Sequence, residues 1–167
     1  AQNVVQFNAM KDILIQQIPM LAALPAEELT RLEPRLAVRK FPAGTLLFRE
    51  DEQGDVFYII IAGQVQVIKS LGSADERSIG VNGTGEFTGE MSLLSPDRTR
   101  TASVRAVGEV EALEVPPAEF ESLLKRYPSV GYELVHVLSL RLDSSNKAAM
   151  RDLQGTNRRL ARSPAGL

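Results

Sequence analysis

The chain has 167 residues, 44% of them hydrophobic and 24% charged, with a formal net charge of -2. That length suits one domain, or one domain with an appended helix, and suffices to bury about two-thirds of the surface the unfolded chain would expose. The charge balance gives no general attraction to nucleic acid or anionic membrane. The lack of cysteine excludes disulfides, Cys-ligated zinc and thiol nucleophiles, and the single histidine, His136, excludes a multi-His metal site.

In chain order, apolar residues recur at helical spacing from Val5 to Ile18 and stop before Pro19. A second helix is marked by Leu24-Pro25-Ala26-Glu27-Glu28-Leu29, with proline in the first turn and two acids at the positive helix end. Leu29, Leu32 and Leu36 then share one face. At Phe41-Pro42-Ala43-Gly44 the pattern changes to short strands punctuated by glycine. Val56 to Ile61 is the clearest strand, and Gln64 to Lys69 alternates polar and apolar residues as a half-buried strand does. Helical periodicity returns after Pro116-Pro117, first over Ala118–Arg126. A longer helix is expected from about Ser129 to Leu153, with Leu134, Leu138, Leu142, Ala149 and Leu153 forming a stripe read as core packing.

These elements predict an α+β fold: an antiparallel β-roll, jelly-roll or cupin-like, flanked by N-terminal and C-terminal helices. The expected divisions are an N-terminal helical segment (1–40), the roll (41–115), C-terminal helices (116–153) and a flexible tail (154–167). The longest apolar run, Val56 to Ala62, is too short for a membrane span, and no signal-peptide pattern precedes it. Cytoplasm is the expected location. Arg158, Arg159 and Arg162 read as a solvated tail, with no direct nucleic-acid binding by this chain.

The chemistry concentrates in Gly85-Glu86-Phe87-Thr88-Gly89-Glu90-Met91-Ser92-Leu93-Leu94, followed by Arg100-Thr101-Ala102-Ser103-Val104. Gly89 permits close backbone approach. Glu90 to Leu94 reads as one helical turn whose first N–H groups, including those of Met91 and Ser92, favour an anion. Arg100 brings a planar fork suited to a phosphodiester oxygen, with Thr101 and the Ala102 N–H as further donors. Arg98 competes for that role, but the Thr-Ala pair directly follows Arg100. A carboxylate beside an anion site repels the ligand unless it accepts a hydrogen bond, so Glu90 points to a ribose hydroxyl. Phosphate and ribose together describe a cyclic nucleotide.

Gly89, Glu90, Ser92 and Leu93, then Arg100, Thr101, Ala102, Val104 and Ala106, resemble the phosphate-binding cassette of the cyclic-nucleotide-binding domain family. That family includes the catabolite activator protein, kinase regulatory subunits and cyclic-nucleotide-gated channels. Gly54-Asp55-Val56-Phe57-Tyr58-Ile59-Ile60, with Gly63, and Phe41 to Phe48 extend the resemblance over roughly residues 13 to 150. Thr88 departs from an apolar family position and Asp51 from a frequent turn glycine. The resemblance implies a ligand, cyclic AMP or cyclic GMP, and no cofactor, metal or catalytic residue. It implies phosphate contacts from Gly89, Arg100, Thr101 and Ala102, a ribose contact from Glu90, and apolar walls from Val67 and Ile79. Ser145 and Asn146 fall nearest the family positions that reach the purine, and a homodimer through the last helix is implied as well.

The expected function is therefore a non-enzymatic sensor that relays binding through its C-terminal helices. About fourteen residues follow Leu153, too few for a helix-turn-helix, so the output is expected from a longer protein or a partner. A degenerate roll used as a protein-interaction module is the alternative. A cupin-type enzyme is a third reading, opposed by the lack of metal ligands.

Overall fold

The computed structural model describes residues 18–162. The helix expected over Val5–Ile18 thus lies outside the described residues except for Ile18, whose backbone is extended. Residues 163–167 of the expected tail lie outside them too. The chain divides into two units, one ending at Val130 and one beginning at Gly131.

The first unit opens with α1 (Pro19–Ala22), α2 (Ala26–Leu32) and a 3-10 turn (Glu33–Arg35). Leu36 lies past this turn in extended backbone, so it does not continue the helical face expected of it with Leu29 and Leu32. Eight strands follow: β1 (Ala37–Phe41), β2 (Leu46–Phe48), β3 (Phe57–Ala62), β4 (Val65–Lys69), β5 (Arg77–Asn82), β6 (Phe87–Thr88), β7 (Ser103–Ala106) and β8 (Val110–Val115). The short helix α3 (Met91–Leu94) separates β6 from β7, and α4 (Pro117–Arg126) follows β8. The strands form two four-stranded sheets, ordered β1-β8-β3-β6 and β2-β7-β4-β5, with antiparallel neighbours throughout. This is the expected antiparallel roll between helices.

Strand β3 shows why the apolar run at 56–62 is unbroken. Tyr58 and Ile60 face a cluster with Phe41, Leu47, Val65, Val104, Ala106, Val110 and Ala112. Phe57, on the opposite face, packs edge-to-face on Phe120 of α4 with ring centroids 4.8 Å apart. A strand buried on both sides needs no polar alternation. Each large side chain so buried contributes about 1.5–3 kcal/mol. In the other sheet, β4 and β5 keep register except at one bulge: Val67 pairs with Gly80 and Ile68 with Ser78. Ile79 is the extra residue between them and is 45% exposed.

Helix α5 (Pro128–Arg162) contains the whole second unit within the described residues. It runs past the expected end of the long helix at Leu153 to Arg162. Leu134 on the expected stripe is buried, but Leu142 and Leu153 are exposed. The core-packing expectation therefore fails for those two residues. Among the described residues, no helix is long and apolar enough to cross a membrane.

Candidate functional site

Gly85-Glu86 carries the chain from β5 into β6, and the two-residue strand ends at Gly89, whose φ of +87° lies in the left-handed region. A side chain there would be strained, and its Cβ would stand 2.7 Å from Arg100 Nη1. Glycine is therefore needed for both conformation and space. Helix α3 starts directly afterwards, and its first N–H groups have no partner inside so short a helix.

Arg100 returns to this point because the loop before it is stitched to the turn preceding β3. The Arg100 N–H donates to the Glu52 carbonyl at 2.8 Å, the Asp51 N–H donates to the Arg100 carbonyl at 2.9 Å, and Gln53 bridges Thr99. The guanidinium is buried, with 4% of the residue exposed. Nη1 donates to the Gly89 carbonyl and to Ser92 Oγ, both at 2.9 Å, and Nη2 donates to the Val56 carbonyl at 2.6 Å. Its plane lies over the Phe48 ring, 4.0 Å from the centroid. Nε is buried with no hydrogen-bond partner. Burial pushes the Arg100 pKa down from its usual value, while Tyr58, Asp55, Glu52 and Glu90 act to hold it up. The group remains a cation at any ordinary pH.

The structure brings Gly89, Glu90, Met91, Ser92 and Arg100 into one neighbourhood. Glu90 (4% exposed) and Ser92 (1% exposed) are buried, and Met91 is exposed. Ser92 Oγ also donates to the Gly89 carbonyl at 3.0 Å. Thr101 is exposed and Ala102 buried, at the start of β7. The Thr101 carbonyl accepts a hydrogen bond from Lys69 Nζ at 2.5 Å. Val67 is half-buried on β4 and pairs with Val104, whereas Ile79 sits exposed at the β5 bulge. Ser145 and Asn146 fall within α5 in the second unit, and their side chains lie outside the described residues. His136 is exposed on the same helix. Among the described residues no cluster could hold a metal ion.

Arg98 has a different place from Arg100. Its Nη2 pairs with Glu121 of α4 at 3.1 Å, both side chains being largely exposed. Its carbonyl accepts the Gly54 N–H at 2.6 Å, and its φ is +52°, unusual for a residue with a side chain. Two residues that shape the site were not singled out for it from the sequence. Gly54 has no room for a Cβ, which would meet Ser92 Oγ and come within 2.7 Å of Arg100 Nε. Phe48 supplies the ring beneath the guanidinium. A glycine opening an apolar strand carried the first signal, but an ordinary turn gives the same signal.

Residues 38–127, more than half of the chain, match the model of the cyclic nucleotide-binding domain. The chain is 31% identical over 124 residues to the cyclic AMP receptor protein of Thermus thermophilus, covering 74% of this chain and 57% of that protein. It is 30% identical over 119 residues to the cAMP-dependent protein kinase regulatory subunit of Emericella nidulans, covering 71% of this chain and 28% of that protein. Among solved structures, the regulatory domain of Toxoplasma gondii PKA with cAMP superposes with a TM-score of 0.70 at 25% identity, covering 83% of this chain and 52% of that one. The chain thus spans a little over half of the bacterial relative and smaller shares of the kinase subunits. With its roll, and with Gly89, Glu90 and Arg100 gathered at one point, the chain belongs to the cyclic nucleotide-binding domain family.

Proposed function

We propose that this chain is a non-enzymatic sensor that binds cyclic AMP, with cyclic GMP binding within roughly tenfold. The observation that carries this reading is Arg100: a buried cation hydrogen-bonded to three neutral oxygens, with Nε left without an acceptor. An anionic ligand is what such a group lacks. In this reading Arg100, the Thr101 hydroxyl and the backbone N–H groups of Gly89, Met91, Ser92 and Ala102 receive the cyclic phosphate. Glu90 accepts the ribose 2′-hydroxyl, while Val67 and Ile79 wall the sugar and base. Ser145 and Asn146 are assigned the purine.

The output belongs to the same proposal. Binding is relayed through the cassette to the C-terminal helices, and a homodimer forms through α5, on which Tyr132, Val135, Leu142 and Leu153 are exposed. In the same reading the chain makes no direct contact with nucleic acid and works in the cytoplasm.

The ribose role gives the sharpest test. Wild-type protein is expected to bind cyclic AMP about tenfold or more tightly than its 2′-deoxy analogue, because a hydrogen bond to a charged acceptor contributes about 1.5–3 kcal/mol. Glu90→Gln is expected to remove most of that preference while changing the affinity for the deoxy analogue little. Calorimetric titration of both ligands on both proteins measures this, and equal losses for the two would take Glu90 out of the role.

A further inference from the structure

Strand β2 ends on Phe48, and the way it ends decides where that ring goes. Successive side chains of a regular strand point to opposite faces. Yet Leu47 belongs to the core cluster of the roll, and Phe48 packs against the same cluster. A break in register makes this possible: Leu46 pairs with Arg105 and Phe48 with Val104, so Leu47 is an extra residue between them. Such a bulge re-aims the side chain beside it. Phe48 is thereby turned to the inside of the roll, where the cassette arginine lies.

The ring has three close neighbours there. Tyr58, 3% exposed, lies nearly parallel to it, with centroids 6.3 Å apart and planes at 14°. Phe41 meets Tyr58 edge-on at 5.7 Å and braces it in turn. Gly89 is so near that an added Cβ would come 3.1 Å from Phe48 Cε1. The third neighbour is the Arg100 guanidinium, 4.0 Å above the centroid. A cation over a ring is attracted to its electron-rich face, most strongly where water is excluded, and Arg100 is buried. The hydrogen bonds of Arg100 to the Gly89 and Val56 carbonyls and to Ser92 Oγ all leave from Nη1 and Nη2. They run along the plane of the group and resist sliding within it. A flat ring against the face resists tilting out of it. An aliphatic side chain could fill the same space without supplying that face.

We propose that Phe48 is a positioning residue of the anion site: braced by Tyr58, its ring fixes the plane of the Arg100 guanidinium and so orients the edge that meets the ligand phosphate. This rests on the nucleotide reading of the cassette. Phe48 acts through Arg100 alone, by raising the fraction of molecules whose guanidinium is correctly set. Apparent affinity falls in proportion to that fraction.

Two measurements on the full chain test this, with Phe48→Met as the main variant, since it keeps the core filled but loses the ring. Phe48→Leu is the second variant, used if the first does not fold. The first measurement is the NMR signal of the Arg100 Nε–H in nucleotide-free protein, assigned by its loss in Arg100→Ala. In wild type it is expected upfield of an ordinary arginine, under the ring current of Phe48, and in the variant at the ordinary position. A signal that does not move overturns the proposal. The second is calorimetric titration with cyclic AMP, in which Phe48→Met is expected to weaken binding by about tenfold, as when the competent fraction falls to about a tenth. On the Arg100→Ala background the same replacement is expected to change affinity by about twofold or less, because effects of residues that act through one another do not add. Equal losses on the two backgrounds would mark Phe48 as packing for the roll alone, and unchanged affinity in Phe48→Met would show that its ring does not serve binding; either result overturns the proposal. A wild type that binds neither cyclic AMP nor cyclic GMP instead removes the nucleotide reading, and the Arg100 signal still decides whether Phe48 sets the guanidinium.

Discussion

Arg100→Ala is expected to weaken cyclic AMP binding by about 2–4 kcal/mol, some 30- to 900-fold, while leaving the roll folded. The direction follows from burial: in a water-poor site a charge-assisted contact is stronger. Arg98→Ala is expected to change affinity by about threefold or less, since its partner Glu121 is exposed and such pairs contribute little. Titration of both variants, with circular dichroism to confirm folding, separates the two arginines. A larger loss for Arg98→Ala than for Arg100→Ala would mean that the wrong arginine has been assigned the phosphate.

The second large effect is expected at a residue that touches no ligand. In Gly54→Ala the new methyl group would run into Ser92 Oγ and stand 2.7 Å from Arg100 Nε and 2.8 Å from Ser92 Cβ. Ser92 is 1% exposed and has nowhere to retreat. Overpacking of this kind costs about 1–3 kcal/mol of stability. The guanidinium is the softer neighbour, so it yields, and cyclic AMP affinity is expected to fall by about tenfold or more. Gly108→Ala is the control, because nothing lies within 4 Å of its added Cβ. Thermal unfolding and calorimetry on the pair check both effects. Wild-type affinity in Gly54→Ala would show that the position of Arg100 does not matter to binding.

The parts of this molecule that were legible in the sequence are those set by local chemistry. The run from Val56 to Ala62 announced β3, and the alternation from Gln64 to Lys69 announced β4. The cassette was legible because a left-handed glycine, a one-turn helix and a returning arginine occupy a short stretch of chain. What escaped were partnerships between distant residues. Glu28 reads in sequence as an acid favouring its own helix start, yet its arginine partner on α4 is 98 residues away. Arg98 reads as a rival phosphate ligand until Glu121 is seen beside it. The one-residue bulge that leaves Ile79 unpaired within β5 is set by register rather than by composition. Leu142 and Leu153 carry the same helical spacing as buried Leu134, so periodicity alone gave no sign that they are exposed.

The most direct test is calorimetric titration of the unaltered chain with cyclic AMP, cyclic GMP and non-cyclic AMP. In the proposed reading Arg100, Gly89 and the start of α3 receive one ring-closed phosphodiester charge, whereas 5′-AMP carries a freely rotating, more highly charged phosphate. Cyclic AMP is expected to saturate one site per chain, cyclic GMP to bind within roughly tenfold of it, and AMP to bind at least about a hundredfold more weakly. No heat of binding with either cyclic nucleotide, or equal affinity for cyclic and non-cyclic AMP, would contradict the cyclic-nucleotide sensor.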